Sequence, residues 1–273
     1  MATHPTRATR ARVRARRGLI LAAAVAVPLA AALLGAVPAH ASGNCNLRYY
    51  VNYDGSPDWP VTPVTPATGE SCSMAPAIAR YNGGTVIAAT RADGSGFGTW
   101  VNTDGSTAWW RNDSWGAVSP AVTGAPALTP YSGGTEIALT FYNGLTYDWE
   151  AGGSPVPPER GEDVSTSGTS QNAPAMARTG TATEIAATGT DDSLWFYWNI
   201  DGTPTWGSHQ IAGPSLAVGT PAIVADASST DVAYIAPDAS LWFYWIINGT
   251  TAWHPEEVSG PGTVWGGVAM THS

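Results

Sequence analysis

The sequence predicts an all-β fold, a β-propeller of about five four-stranded blades with one blade short of a strand. Three observations carry that expectation. The chain repeats itself: the turn glycines Gly55, Gly105, Gly153, Gly202 and Gly249 are spaced 50, 48, 49 and 47 residues apart. Each repeat holds four short β segments separated by Gly, Pro, Ser or Asp clusters, and four strands in 40–50 residues is the length of one propeller blade. Beyond residue 41 no stretch sustains the 3.6-residue apolar period of a helix.

Residues 1–41 read as an export signal preceding a single repeat domain over 42–273. Arg7, Arg10, Arg12, Arg14, Arg16 and Arg17 form a basic start, residues 18–37 are apolar, and Ala39-His40-Ala41 is the small-x-small pattern that signal peptidase reads. Cleavage after Ala41 makes Ser42 the new N-terminus and the protein secreted. The apolar run is long enough to span a bilayer as an anchor, but Pro28 within it and the Ala-His-Ala site argue for cleavage, so no stable membrane insertion is expected afterwards. Arg16-Arg17 fits the twin-arginine pattern loosely, so the Sec and twin-arginine routes both stay open. Asn44, before Cys45, rules out a lipobox.

Beyond Ala41 there are six basic residues, all Arg, against 21 acidic ones, a net charge of −15. Such a surface repels phosphate backbones, so nucleic acid is not an expected partner. Cys45 and Cys72 form one expected disulfide, as a pair in an exported chain most simply does, worth about 3 kcal/mol. A two-cysteine metal site would need His partners that are not nearby.

The strands follow in order within each repeat. Ala75-Pro76-Ala77-Ile78, Ala125-Pro126-Ala127-Leu128, Ala173-Pro174-Ala175-Met176 and Thr220-Pro221-Ala222-Ile223 recur, with a degenerate Gly267-Val268-Ala269-Met270. Next come Thr85-Val86-Ile87-Ala88, Thr135-Glu136-Ile137-Ala138, Thr183-Glu184-Ile185-Ala186 and Thr230-Asp231-Val232-Ala233. Aromatic segments follow at 47–52, 97–102, 145–150, 194–199 and 241–246. The turns Asp54-Gly55, Asp104-Gly105, Asp201-Gly202 and Asn248-Gly249 come next, each with Trp four residues after its glycine. Asp-Gly and Asn-Gly predict type I′ hairpin turns. Inner strands of a propeller crowd towards its axis and outer strands splay, so the small-residue strands belong inside. The predicted order is Ala-Pro-Ala, Thr-Glu-Ile-Ala, aromatic, Trp. The second strand occurs four times and the others five, so the blade shared by the two ends of the chain lacks one. Completion by another subunit, a homo-oligomer, stays open.

The phrase Asp192-Ser193-Leu194-Trp195-Phe196-Tyr197-Trp198-Asn199-Ile200-Asp201-Gly202-Thr203-Pro204-Thr205-Trp206 resembles the repeats of bacterial PLL-type propeller lectins and, more distantly, of tachylectin-like propellers. The resemblance extends over nearly all of residues 46–272 and is clearest in the last two copies. It implies carbohydrate binding, of fucose-like or amino sugars, at sites repeated between blades. This chain departs in having fewer repeats than the PLL type and in Pro157, which stands where the third copy's Trp belongs.

All 13 Trp lie outside the signal. Pyranose C–H faces stack on aromatic rings while neighbouring polar groups read the hydroxyls; the same rings serve equally to fill gaps between blades. The candidate ligand-binding residues are the turn-side Trp59, Trp109, Trp206 and Trp253, together with Trp195 and Trp242. No catalytic residue is nominated. His209, His254 and His272 belong to no metal or nucleophile motif, and no cofactor is implied. The acidic pairs Glu162-Asp163 and Glu256-Glu257 would point to opposite faces of a strand. The expected function is a secreted carbohydrate-binding protein with several weak, quasi-equivalent sites. A non-catalytic extracellular protein-interaction scaffold and a secreted glycoside hydrolase are the alternatives.

Overall fold

The computed structural model describes residues 19–22, 47–50, 61–64, 74–81, 83–91, 97–103, 106, 108–112, 122–131, 134–142, 144–151, 161–166 and 169–271. Cys45, Cys72, Trp59 and the turns at Asp54, Asp104 and Gly152 lie outside them.

Three short strands come first: β1 (Leu19–Ala22), β2 (Arg48–Tyr50) and β3 (Val61–Pro63). Four antiparallel sheets of four strands follow, each a simple meander. Blade one is β4 (Ala77–Tyr81), β5 (Gly84–Thr90), β6 (Phe97–Thr103) and β7 (Trp110–Asn112). Blade two is β8 (Ala127–Tyr131), β9 (Gly134–Phe141), β10 (Gly144–Ala151) and β11 (Glu162–Asp163). Blade three is β12 (Gln171–Thr179), β13 (Ala182–Thr188), β14 (Leu194–Ile200) and β15 (Gly207–Ala212). Blade four is β16 (Val218–Ala225), β17 (Ser229–Ile235), β18 (Leu241–Ile247) and β19 (His254–Ser259). The chain continues into β20 (Val268–Thr271).

The first strands of successive blades contact one another, β4 with β8, β8 with β12, β12 with β16 and β16 with β20. The small-residue strands therefore surround the axis and the fold is a β-propeller with the predicted strand order. Second strands are the most enclosed: β5 and β9 are buried almost throughout, and β13 from Thr183 onwards. Ala88, Ala138, Ala186 and Ala233 on these strands are fully buried, because a larger side chain would hold neighbouring sheets apart. The period-2 alternation of the aromatic strand places its two faces against different neighbours. Leu194 and Phe196 pack towards Val232 and Tyr234 of blade four. Tyr197 and Trp195 pack towards Ala138 and Leu145 of blade two.

The two ends of the chain lie in separate two-stranded sheets, and no described strand pairing joins them into one shared blade. β2 pairs with β3, and Leu47, Tyr49 and Val64 pack on Ile87, Ala89 and Trp100 of blade one. At the other end Val268 packs on Ile235, Leu241 and Val264, which belong to blade four and the turn after it. β20 also has an antiparallel neighbour drawn from the predicted signal segment rather than from a repeat: β1 pairs with it from Leu19↔Thr271 to Ala22↔Val268.

At the two described turns, Asp201-Gly202 and Asn248-Gly249, the predicted type I′ geometry is corrected. Only the glycine has positive φ, Gly202 at 80° and Gly249 at 83°. Thr203 N donates to Ile200 O at 2.9 Å and Thr250 N to Ile247 O at 3.0 Å, the arrangement of a type II turn. The reason is length: the chain does not reverse in two residues but runs on from 201 to 206 before the outer strand begins. Asn199 Nδ2 pins that connection by donating to Thr203 O and Thr205 O, both at 3.1 Å. Asn102 does the same in blade one, reaching Ser106 O at 2.9 Å and Ala108 O at 2.7 Å.

Candidate functional site

Two blades must meet to make the candidate site. Between blades three and four lies a cleft of about 200 Å3 whose walls include Glu184, Phe196, Trp198, His209, Asn248 and Trp253. Register explains why they converge. Trp198 pairs across the sheet with Glu184, and Phe196 with His209, so one face of blade three presents an acid, two aromatic rings and an imidazole. Phe196 and Trp198 stack with centroids 5.6 Å apart. Trp253 immediately precedes the outer strand of blade four and meets Phe196 edge-on at 5.1 Å. Gly207 lies opposite Trp198, and a Cβ there would collide with the indole; the glycine makes room for the ring.

Glu184 forms the floor. It is 6% exposed. Thr230 Oγ1 of blade four donates to its Oε2 at 2.7 Å, and Thr179 Oγ1 donates to its Oε1 at 3.4 Å. Burial pushes the carboxyl above the usual carboxylate range, against the pull of these two hydroxyls. Asn248 Nδ2 donates to Asp226 O at 2.9 Å, which turns its Oδ1 towards Thr230 Oγ1, 3.5 Å away.

The gap between blades two and three is built on the same plan with different side chains. Thr183 Oγ1 donates to Glu136 Oε2 at 2.8 Å. Arg178 Nη1 also donates to Glu136 and forms an ion pair with it. Arg178 Nη2 reaches Asp201 Oδ2 at 2.6 Å, and the guanidinium lies 5.7 Å from the Tyr131 ring centroid. Burial raises the Glu136 carboxyl, opposed by the Thr183 hydroxyl and then the Arg178 charge. Trp206 meets Tyr147 edge-on at 5.0 Å and donates its Nε1 to Glu162 at 3.2 Å. Between blades one and two the acid is absent: Val86 stands at its position, and Thr135 Oγ1 is buried without a hydrogen-bond partner.

Of the residues nominated from sequence, Trp253 lines the cleft and Trp206 holds its counterpart one gap earlier. Trp109 meets Tyr49 edge-on at 5.4 Å, and its Nε1 is buried without a partner, a packing position. Trp195 and Trp242 are tied to turn serines, Nε1 donating to Ser193 Oγ at 2.8 Å and to Ser240 Oγ at 2.9 Å. Trp59 lies outside the described residues. The sequence reading missed Glu184, Phe196, Trp198, His209 and Asn248. The available signal was the acid in Thr-Glu-Ile-Ala, a charge in a strand otherwise built for burial. No group of three or more His, Cys, Asp or Glu among the described residues is placed to hold a metal ion.

No family model and no curated protein matches the sequence. Solved structures do match in shape. The BP39L lectin from Burkholderia pseudomallei superposes with a TM-score of 0.62 at 20% identity, over 81% of this chain and 65% of that one. AofleA from Arthrobotrys oligospora gives 0.51 at 13%, over 78% and 64%. An Aleuria aurantia lectin variant in complex with Fucα1-6GlcNAc gives 0.50 at 17%, over 79% and 76%. The chain thus spans about two thirds of the length of the first two. At these identities the likeness is one of fold, and it agrees with the strand order above: the chain is a β-propeller.

Proposed function

We propose that this chain is a secreted, non-catalytic carbohydrate-binding protein whose sites lie in the clefts between blades. The observation that carries the reading is the cleft between blades three and four, where the rings of Phe196, Trp198 and Trp253 stand beside the polar groups of Glu184, His209 and Asn248. A pyranose needs that combination, apolar faces for its C–H groups and hydrogen-bonding groups for its hydroxyls. The lectin folds named above support it; one of them was solved in complex with a fucosylated disaccharide. The clefts are related by the repeat but differ in side chains, so the sites are graded in strength and act together through avidity. Export with cleavage after Ala41 removes β1 and leaves Ser42 first.

A glycan array probed with the exported protein tests the reading. Binding should appear, and Trp253→Ala and Trp198→Ala should each weaken it by roughly 2- to 13-fold, since a stacked ring is worth about 0.5–1.5 kcal/mol beyond its area. A blank array with capture of an envelope protein would favour the scaffold. Release of reducing sugar would favour the hydrolase.

A further inference from the structure

Resting on the carbohydrate reading, we infer that the cleft between blades three and four selects an amino sugar with a free ammonium group, which takes the place held one gap earlier by the guanidinium of Arg178.

The two gaps can be superposed residue by residue through their registers. Arg178 pairs with Thr183 across blade three as Ala225 pairs with Thr230 across blade four. Asp201 N donates to Thr181 O as Asn248 N donates to Ser228 O. Tyr147 stands opposite Ala138 as Phe196 stands opposite Ala186. Two members are unchanged: the buried acid, Glu136 and then Glu184, and the threonine of the next blade that donates to it, Thr183 and then Thr230. Phe196 lacks the hydroxyl with which Tyr147 bonds the acid, and the other three changes concern the cation. Ala225 supplies a methyl group where Arg178 supplies a guanidinium, Asn248 replaces its second acid partner Asp201, and Thr179 replaces the Tyr131 ring beneath it.

The consequence is a buried carboxyl without its countercharge and a space where the countercharge belongs. Among the described residues no cation pairs with Glu184; two hydroxyls are its partners. An ionised carboxylate in so enclosed a place is strongly disfavoured unless a positive group reaches it, and burial accordingly raises its pKa. The groups facing it are Thr179 from its own blade and Thr230 from blade four, with Asn248 beside Thr230; His209 is the other titratable side chain lining the cleft. A ligand ammonium donates to Glu184 and to Asn248 Oδ1, as the Arg178 guanidinium donates to Glu136 and Asp201. The rings of Phe196, Trp198 and Trp253 suit both a cation and the apolar face of the sugar that carries it. A neutral hydroxyl offers Glu184 a hydrogen bond without the charge, and an acetamido group offers neither the charge nor the compact shape.

Calorimetric titration of the exported protein at pH 7 tests this, with glucosamine and galactosamine each set against its N-acetyl form and methylguanidinium as a charge-only probe. The expected result is at least one amino sugar bound about tenfold or more tightly than its N-acetyl form, as a charge-assisted hydrogen bond allows. Glu184→Gln should abolish that preference, and Ala225→Arg should abolish binding by filling the space. Equal binding of the two forms, or a preference that survives Glu184→Gln, overturns the inference and leaves the carbohydrate reading standing. Saturable, Glu184-dependent binding of methylguanidinium without binding of either amino sugar overturns the amino-sugar inference, leaving a bare cation site, while the glycan array decides the carbohydrate reading on its own. Absence of binding by every probe overturns the inference. Thermal melts of both variants, matching or exceeding the parent, exclude misfolding as the cause of lost binding.

Discussion

At the level of the residue, the gaps between blades turn on single side chains whose neighbours have changed. Burial raises the pKa of Glu184, opposed by the Thr230 and Thr179 hydroxyls. A carboxyl raised on folding binds more protons in the folded than in the unfolded state. Its favourable contribution is therefore complete below the unfolded value, near 4.5, and is lost as pH rises through the folded one. Glu184→Gln keeps an acceptor for Thr230 and removes the charge. Urea melts across pH 4–8 should show this variant more stable than the parent at pH 7, with the gap closing towards pH 4. A variant less stable at pH 7 would mean that the charged hydrogen bonds outweigh burial. Thr135 is the converse case, a hydroxyl with no acceptor because Val86 replaces the acid. Thr135→Val removes a buried orphan at nearly constant shape and should raise stability by about 1 kcal/mol in the same melts.

At the level of the strand, the aromatic segments of blades three and four begin with one device used twice. Asp191 Oδ1 accepts from Ser193 N at 3.1 Å and from Ser193 Oγ at 2.5 Å, while Ser193 Oγ accepts from Trp195 Nε1 at 2.8 Å. Asp238, Ser240 and Trp242 repeat the arrangement. The serine hydroxyls hold both carboxyls below their usual range. Ser193→Ala leaves the Trp195 N–H without this partner and should cost about 1 kcal/mol in a denaturant melt. The strand order was legible because it rests on residues close together in sequence and on period-2 alternation; the serine device was not, and its Trp195 and Trp242 stood among the ligand candidates instead. The cleft was not legible, because Glu184 and Trp198 come from one repeat and Asn248 and Trp253 from the next. Alternation puts Leu194, Phe196 and Trp198 on one face, yet Leu194 is fully buried and Trp198 is 36% exposed; the neighbouring blade, not the strand, decides that gradient. Gly207 carries the clearest test of this assembly. Gly207→Ala should displace the Trp198 ring and weaken ligand binding several-fold, with far-UV circular dichroism unchanged, because the added Cβ meets the indole.

At the level of the ring, stability passes from blade to blade through these same joints. Arg178 and Glu136 have side chains 12% and 3% exposed, and removing one partner of so buried a pair leaves the other uncompensated. Arg178→Ala should therefore destabilise the protein by roughly 3–5 kcal/mol, and adding Glu136→Gln should recover much of that loss. Additive losses in the double variant would show that Arg178 acts through packing alone. The joint also has a direction: the acid stands on the second strand of one blade and its threonine on the second strand of the next. A gene that duplicated residues 171–217 in tandem would set the new copy's Arg178 and Thr183 against the old Glu184, and the acid, threonine and guanidinium of the joint between blades two and three would be reproduced between the two copies, with Thr179 in place of the Tyr131 ring. Duplicating blade one would instead set Val86 against another Thr85 and bury one more unanswered hydroxyl. The ring thus carries within it a rule for its own enlargement, in which some repeats are fit to be copied beside themselves and others are not.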